Sequence, residues 1–342
     1  MYIIEHIREG VEVLDHATQL AMHIYALENI KLDESLVFPY RPSASVQIGK
    51  YQNTIEEVNL DYVAENNIDI VRRETGGGAI YMDRNHANFV FIIDDPSSNF
   101  NENFDRIYQP TIEGLKQLGA TNVARQGRND LEINGQKVSG AAVTIQKNRL
   151  YAGYSLLLDI DFDAVENALR PNRKKIESKG IKSVRRRVTP IREHLSEKYR
   201  DISVKDFEQV MLMHLCGVSR VEDLKYYRLS DEEWKAIDKI AEDKFANWEW
   251  NYGKSPRYEY NCDGRFEGGT VSLTLSVEQS RIEKCRIYGD FFGKADIQIV
   301  EKELIGKRVD RNELLYALSK FELSEYFGKI SAEEIVNLVL GH

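Results

Sequence analysis

Arg72-Arg73-Glu74-Thr75-Gly76-Gly77-Gly78 lies between two strand-like runs, Ile68–Arg72 and Ala79–Tyr81. Glycine in series weakens local order through backbone entropy, so packing alone is a poor reason for three in a row. Their use is to let backbone N–H groups approach a ligand, and successive amides form nests that favour anions. The two arginines just before them carry planar forks suited to carboxylate or phosphate. The spacing fits neither the Walker loop nor the dinucleotide fingerprint. An anion-holding loop on some other fold is the reading.

Working outward, Val13–Leu27 places Leu14, Ala17, Leu20, Ala21, Ile24 and Leu27 at helical spacing. Strand-like runs cover Ser35–Phe38, Ser45–Ile48 and Phe89–Ile93, and Phe104–Leu118 reads as a helix stopped by Gly119. Leu131–Ile133, Lys137–Gln146 and Leu150–Asp159 are strands, with Asn134-Gly135 a strong type I′ hairpin signal and Lys147-Asn148 a weaker turn. Phe162–Leu169 is a short helix. Further on, Val204–Leu215 and Asp231–Phe245 are helical, then the texture changes at Trp248–Gly253. Arg257–Tyr260, Thr270–Val277 and Arg281–Tyr288 read as strands, Asp296–Leu304, Arg311–Phe321 and Ala332–Leu340 as helices. Mixed, largely antiparallel strands with flanking helices give an α+β class. The breakers Gly253 and Pro256 set a boundary near residue 247, dividing 1–246 from a smaller 247–342.

Two further constellations stand out. Asn129, Asp130 and Lys137 lie at the start and early return of the Asn-Gly hairpin, and the small residues Ser139–Ala142 after the lysine suggest that something packs closely against this strand. An Asn-Asp pair can meet ribose, an amine or Mg²⁺, and the lysine supplies a point charge for a phosphate or a carbonyl. An exposed strand lysine is the plain alternative. The other is Arg170–Arg187, with nine Lys/Arg against the single acid Glu177. The chain as a whole is −9, so everything outside this segment carries −17. One basic focus in an acidic protein points to a local anion site, not a nucleic-acid face, and Gly180 and Ser183 interrupt it as in a closing loop. No run approaches the roughly 20 apolar residues of a membrane span, and the first residues lack the pattern of a secretory signal. Cys216, Cys262 and Cys285 make neither a disulfide framework nor a zinc site. The seven histidines show no metal spacing and are read as structural or surface groups. The expected setting is the cytoplasm, with no membrane and no nucleic acid as partner.

At these residues the chain resembles the lipoate–protein ligase A family. The likeness runs from Ile48–Asn53 through Arg72–Asp83, Gly127–Leu131, Lys137–Gly140 and Pro171–Val188 to Trp248–Pro256, in that order. It implies a catalytic domain of the fold shared by lipoate and biotin protein ligases and a small α+β accessory domain. It further implies ATP-dependent conversion of lipoate to lipoyl-AMP, then transfer to a lysine of a lipoyl carrier, such as a glycine-cleavage H-like protein or a 2-oxoacid dehydrogenase E2-like subunit. By position, lipoate would meet Arg73, Thr75, Gly76, Gly77, Gly78 and Lys137. ATP or the adenylate would meet Gly78, Ala79, Tyr81, Asp83, Asn129, Asp130 and Lys137, with Lys179, Gly180, Ser183, Val184 and Arg185 closing over it. Lys137 matches the family lysine that contacts the lipoyl carbonyl and phosphate oxygens, and Asp130 is the candidate Mg²⁺ ligand. The chain departs from many members at Met82 and at Tyr151-Ala152-Gly153-Tyr154, where histidines are usual. One rival is an octanoyl- or lipoyl-transferase of the same fold, which would need a thiolate near the loops. The other is a carrier-binding protein without catalysis.

Overall fold

The computed structural model describes residues 1–170, 187–251 and 260–340, apart from Asn53, Asp95, Ser98, Arg128, Gln279 and Ser280. Strands β1 (Tyr2–Ile3), β2 (Leu36–Tyr40), β6 (Ala87–Asp94), β7 (Val123–Gln126), β8 (Asp130–Ile133), β9 (Gln136–Gln146), β10 (Arg149–Leu156) and β11 (Lys225–Tyr226) form one sheet. Its order is β11-β1-β2-β6-β10-β9-β8-β7. The β1 pairings are parallel and the others antiparallel. A smaller sheet sets β3 (Ser45–Ile48) between β4 (Asp69–Arg72), parallel, and β5 (Ile80–Met82), antiparallel.

Strand β6 shows why the large sheet is central. Side chains alternate between faces of a strand, and here both faces are apolar. Ala87, Phe89, Phe91 and Ile93 enter one core with α2 (Phe100–Gln117) and α4 (Val204–Cys216). Val90 and Ile92 enter a second, against α1 (His16–Asn29) and α5 (Asp231–Ile240). The short helix α3 (Phe162–Ala168) joins the small sheet in a third core.

The expected helices begin and end within a few residues of those found, and caps explain the shifts. Asp15 accepts from the Thr18 amide, so α1 starts at His16 and not Val13. Asn99 accepts from the Asn101 amide and starts α2 one turn early. The run expected as a single helix to Phe245 changes at Ala241 into a π-helical turn. Asn134 and Gly135 have φ of 51° and 80°, as the type I′ turn requires, and Lys147-Asn148 takes the same left-handed backbone at 51° and 58°. Of the expected strand Arg257–Tyr260, residues 257–259 lie outside the described residues, and the strand found is β12 (Tyr260–Phe266). With β13 (Gly269–Glu278) and β14 (Arg281–Gly289) it forms an antiparallel sheet. Helices α6 (Ile297–Leu304), α7 (Arg311–Leu318), α8 (Leu323–Phe327) and α9 (Ala332–Leu340) follow it, around an apolar core. The mixed α+β class and the small C-terminal accessory unit are as the sequence predicts. Among the described residues no helix is long and apolar enough to cross a membrane.

Candidate active site

A cavity of about 790 Å³ opens between the glycine loop, the β8–β9 hairpin, strand β10 and the C-terminal sheet. Its inner wall is apolar, with Leu20, Ile80, Val90, Ala142 and Tyr151. Its polar wall carries Asn129, Asp130 and Lys137.

The hairpin aims these groups through a β-bulge. Register runs Asp130↔Gly140 and Leu131↔Ser139, then Glu132↔Lys137, leaving Val138 without an opposite number. Residues 137 and 140, three apart, would point to opposite faces of a regular strand. One inserted residue turns them to the same face. The Lys137 ammonium therefore lies over Gly140, where a Cβ would stand 2.6 Å from its nitrogen. It pairs with Asp130 at 2.6 Å, both side chains remaining about a quarter exposed. Asn129 holds the strands together, donating from its amide to the Ala141 carbonyl at 2.6 Å.

The glycine loop is built differently. The Arg73 Nε donates to the Thr75 hydroxyl at 3.0 Å, and its Nη2 donates to the carbonyls of Gly76 at 2.8 Å and Gly78 at 2.9 Å. Burial lowers its pKa to about 10, so the guanidinium stays charged at neutral pH. Arg72 donates to Gly49, Gln52, Thr54, Trp250 and Asn251 and tethers the loop to the segment before Tyr252. Glu74 is buried between Lys50 and Lys244. Packing accounts for two of the glycines after all. A Cβ on Gly76 would lie 2.4 Å from the Phe291 carbonyl, and Gly77, at φ 98°, would press one to 2.8 Å from Arg73 Nη2. Close packing thus accounts for Gly76 and Gly77, where the sequence offered only ligand approach or a turn as reasons.

Behind the loop lies a polar cluster absent from the sequence reading. Gln47 lines the cavity, and its Nε2 donates to His16 Nε2 at 3.1 Å. His16 Nδ1 is 2.7 Å from the Ser45 hydroxyl, and the Nε2 atoms of His6 and His23 are 3.1 Å apart. Burial depresses all three histidines, His6 to about 4 and His16 to about 3, so they are neutral at pH 7. Tyr40, also at the cavity, is raised to about 12 by burial. The spacing of these residues in sequence is uninformative because four elements bring them together. Among the described residues no group of three or more His, Cys, Asp or Glu is arranged to hold a metal ion.

Residues 15–216 match the lipoyl protein ligase A/B catalytic domain, and residues 255–339 match the bacterial lipoate protein ligase C-terminus. The chain is 50% identical to lipoate–protein ligase 2 of Staphylococcus aureus, over 99% of this chain and 100% of that one. The chain belongs to the lipoate–protein ligase family. It is an enzyme of the ligase class. Its fold is shared with LipL1 of P. falciparum, solved in complex with lipoate, at a TM-score of 0.76 and 20% identity, covering 100% and 99% of the two chains. It is shared too with the bi-partite lipoate protein ligase of Thermoplasma acidophilum, solved in a study of that ligase and its E2 lipoyl domain, at a TM-score of 0.62 and 23% identity, covering 76% and 98%.

In this ligase the cavity gathers Arg73, Thr75, Gly77, Gly78, Ala79, Asn129, Asp130 and Lys137 from the expected site. Gly76, Tyr81 and Asp83 are not among its lining residues. Strand alternation explains Tyr81: on β5, Ile80 faces the cavity and Tyr81 turns the other way into the core of the small sheet. Asp83 accepts from the Asn85 amide at 2.8 Å and stabilises the turn into β6. Met82 is buried in the core against α1, away from the cavity, whereas Tyr151, Gly153 and Tyr154 line it. Lys179, Gly180, Ser183, Val184 and Arg185 lie outside the described residues; the flanking Arg170 and Arg187 both line the cavity. No cysteine lines it: Cys262 and Cys285 are buried in the C-terminal core and Cys216 ends α4. That leaves a transferase without its thiolate. Sequence reasoning missed Gln47 and Tyr40, and also the C-terminal residues Arg265, Glu267 and Asp290 on the far wall.

Proposed function

We propose that both half-reactions take place in this cavity, around the Lys137–Asp130 pair. That pair carries the reading, because its partly exposed ammonium lines a cavity that also has apolar residues to receive an acyl chain. A carboxylate oxygen of lipoate attacks the α-phosphorus of ATP, the bond to the β-phosphate bridging oxygen breaks, and pyrophosphate leaves. The lipoyl group then passes to the amine of an acceptor lysine. That amine loses a proton, and AMP departs. Lys137 stabilises the negative charge that gathers on the phosphate and then on the acyl carbonyl oxygen. Arg73 and the Thr75–Gly78 backbone hold the shape of the carboxylate end, and Ala79 continues that wall.

Asp130 supplies a hard oxygen ligand, and Mg²⁺ is commonly bound by one or two carboxylates together with substrate phosphates. The residues thus fit a Mg²⁺ that arrives with ATP, and when bound it would neutralise phosphate charge. Lys179, Gly180, Ser183, Val184 and Arg185 would contact the adenylate from the segment that starts and ends at the cavity rim. The acceptors would be lipoyl domains, of the H-like and E2-like kinds, and the setting the cytoplasm. Residues 1–246 would form the catalytic domain and 247–342 the accessory one.

Mass spectrometry of apo lipoyl domains incubated with the protein, lipoate, ATP and Mg²⁺ tests this. A lipoyl adduct that depends on ATP and releases pyrophosphate is expected. Acylation of the domain from an octanoyl- or lipoyl-carrier donor without ATP would instead support the transferase reading, and the absence of both lipoyl-AMP and adduct would remove the chemistry from this cavity.

A further inference from the structure

The far wall of the cavity comes from the accessory unit, through Arg265, Phe266, Glu267, Gly269 and Thr270 of the β12–β13 hairpin and Asp290 after β14. The charges on that wall are not equivalent. Glu267 pairs with Lys329 at 2.5 Å, and Asp290 accepts from the Thr270 amide at 2.5 Å. Glu267 is thus engaged within its own unit, and Asp290 is held by Thr270 and also acts on the charge of Arg73. Arg265 is exposed at the cavity, and its side chain makes no hydrogen bond or ion pair among the described residues. On the catalytic side the two central cations are committed, Arg73 to loop carbonyls and Lys137 to Asp130.

A triphosphate entering this space brings three or four negative charges, and the pyrophosphate that leaves retains most of them. An exposed cation contributed to the same cavity by the accessory unit is available to the phosphates beyond the α-phosphorus. Arginine suits this task because its fork meets two phosphate oxygens at once and its charge does not titrate. We propose that Arg265 binds the β- and γ-phosphates of ATP during activation, so that the accessory unit completes the nucleotide site. This rests on the two-step reading above. It assigns Arg265 to the first half-reaction only, since pyrophosphate has gone before the acyl group is transferred.

The two half-reactions can be measured apart on the full-length protein. Lipoate-dependent ATP–pyrophosphate exchange reports activation, and acylation of an apo lipoyl domain by added lipoyl-AMP reports transfer. Arg265→Ala should raise the KM for ATP about 10- to 100-fold, the usual cost of losing a charge-assisted contact. Transfer from added lipoyl-AMP should proceed at the wild-type rate. Arg265→Lys should recover part of the loss. Equal losses in both half-reactions, or an unchanged KM for ATP, would overturn the assignment. Arg265→Gln keeps most of the side-chain length, so if Arg265→Ala loses its fold the same two assays on Arg265→Gln decide. If the wild-type protein itself shows no exchange, the two-step reading fails, which is a different result from any the variants can give.

Discussion

Two cation-bearing regions contribute to one cavity, and they are built on opposite principles. At Arg72 and Arg73 the guanidinium groups are buried and their donors go to backbone carbonyls of the surrounding loops. Behind them His6, His16 and His23 are neutral and enclosed. At Lys137 the ammonium has one described side-chain partner, remains partly open to solvent, and sits on a bulged hairpin over a glycine. A buried charge with saturated donors is expensive to disturb and has little left to offer a ligand. A partly exposed pair can exchange partners at smaller cost. The first region is therefore built to hold shape, and the second is where we propose the chemistry takes place.

Acidification should strike the buried region hardest. The folded-state pKa values of His6 and His16 lie below the ordinary 6.5, at about 4 and 3, and that of His23 is also lowered. Between pH 6.5 and about 4 the unfolded chain binds more protons than the native one, so stability falls as the pH drops through that window. It should be level above about pH 7. Each histidine contributes a slope of up to about 1.4 kcal/mol per pH unit. Urea titrations at a series of pH values check this, and a flat profile between pH 7 and 5 would contradict it. Next in size, Arg72→Ala should destabilise the fold by about 3–5 kcal/mol, because it strips partners from several buried carbonyls at once. Its measure is the shift in urea midpoint.

Lys137→Ala should do the converse. We expect the melting temperature to stay within about 2 °C of wild type while ligation falls roughly 10²- to 10³-fold, the usual cost of losing one fixed group that stabilises developing charge. Ligation at the wild-type rate would remove Lys137 from the chemistry and collapse the contrast. The subtlest test is Gly140→Ala. The added methyl meets the flexible end of Lys137, so stability should hardly change. The ammonium must move, and activity should drop about 10-fold, on the scale of small misplacements near a reacting centre. If stability falls and activity per folded molecule does not, the glycine serves packing alone.

Where local rules govern, the sequence was legible. Helical spacing announced α1, the Asn-Gly dipeptide announced the hairpin, and the order of short motifs announced the family. The elements misplaced at their edges were moved by caps at Asp15 and Asn99, which compete with propensity over a single turn. The site was only partly legible. A linear motif treats neighbours alike, but a strand sends them to opposite faces, and so Tyr81 left the cavity while Ile80 stayed.

By itself the sequence determined the α+β class, the accessory unit, the distance of every cysteine from the loop motifs, and the hairpin that carries Asn129, Asp130 and Lys137. Each follows from residues close together in the chain, or from motif order. Only the tertiary structure decided that Arg73 spends its fork on its own loop, that Gly76 makes room for Phe291, and that Arg265 reaches the cavity. The physical reason is common to all three. Whether a charge or a glycine serves a ligand or the fold depends on which distant backbone atoms come within hydrogen-bonding or van der Waals distance, and no local pattern encodes that.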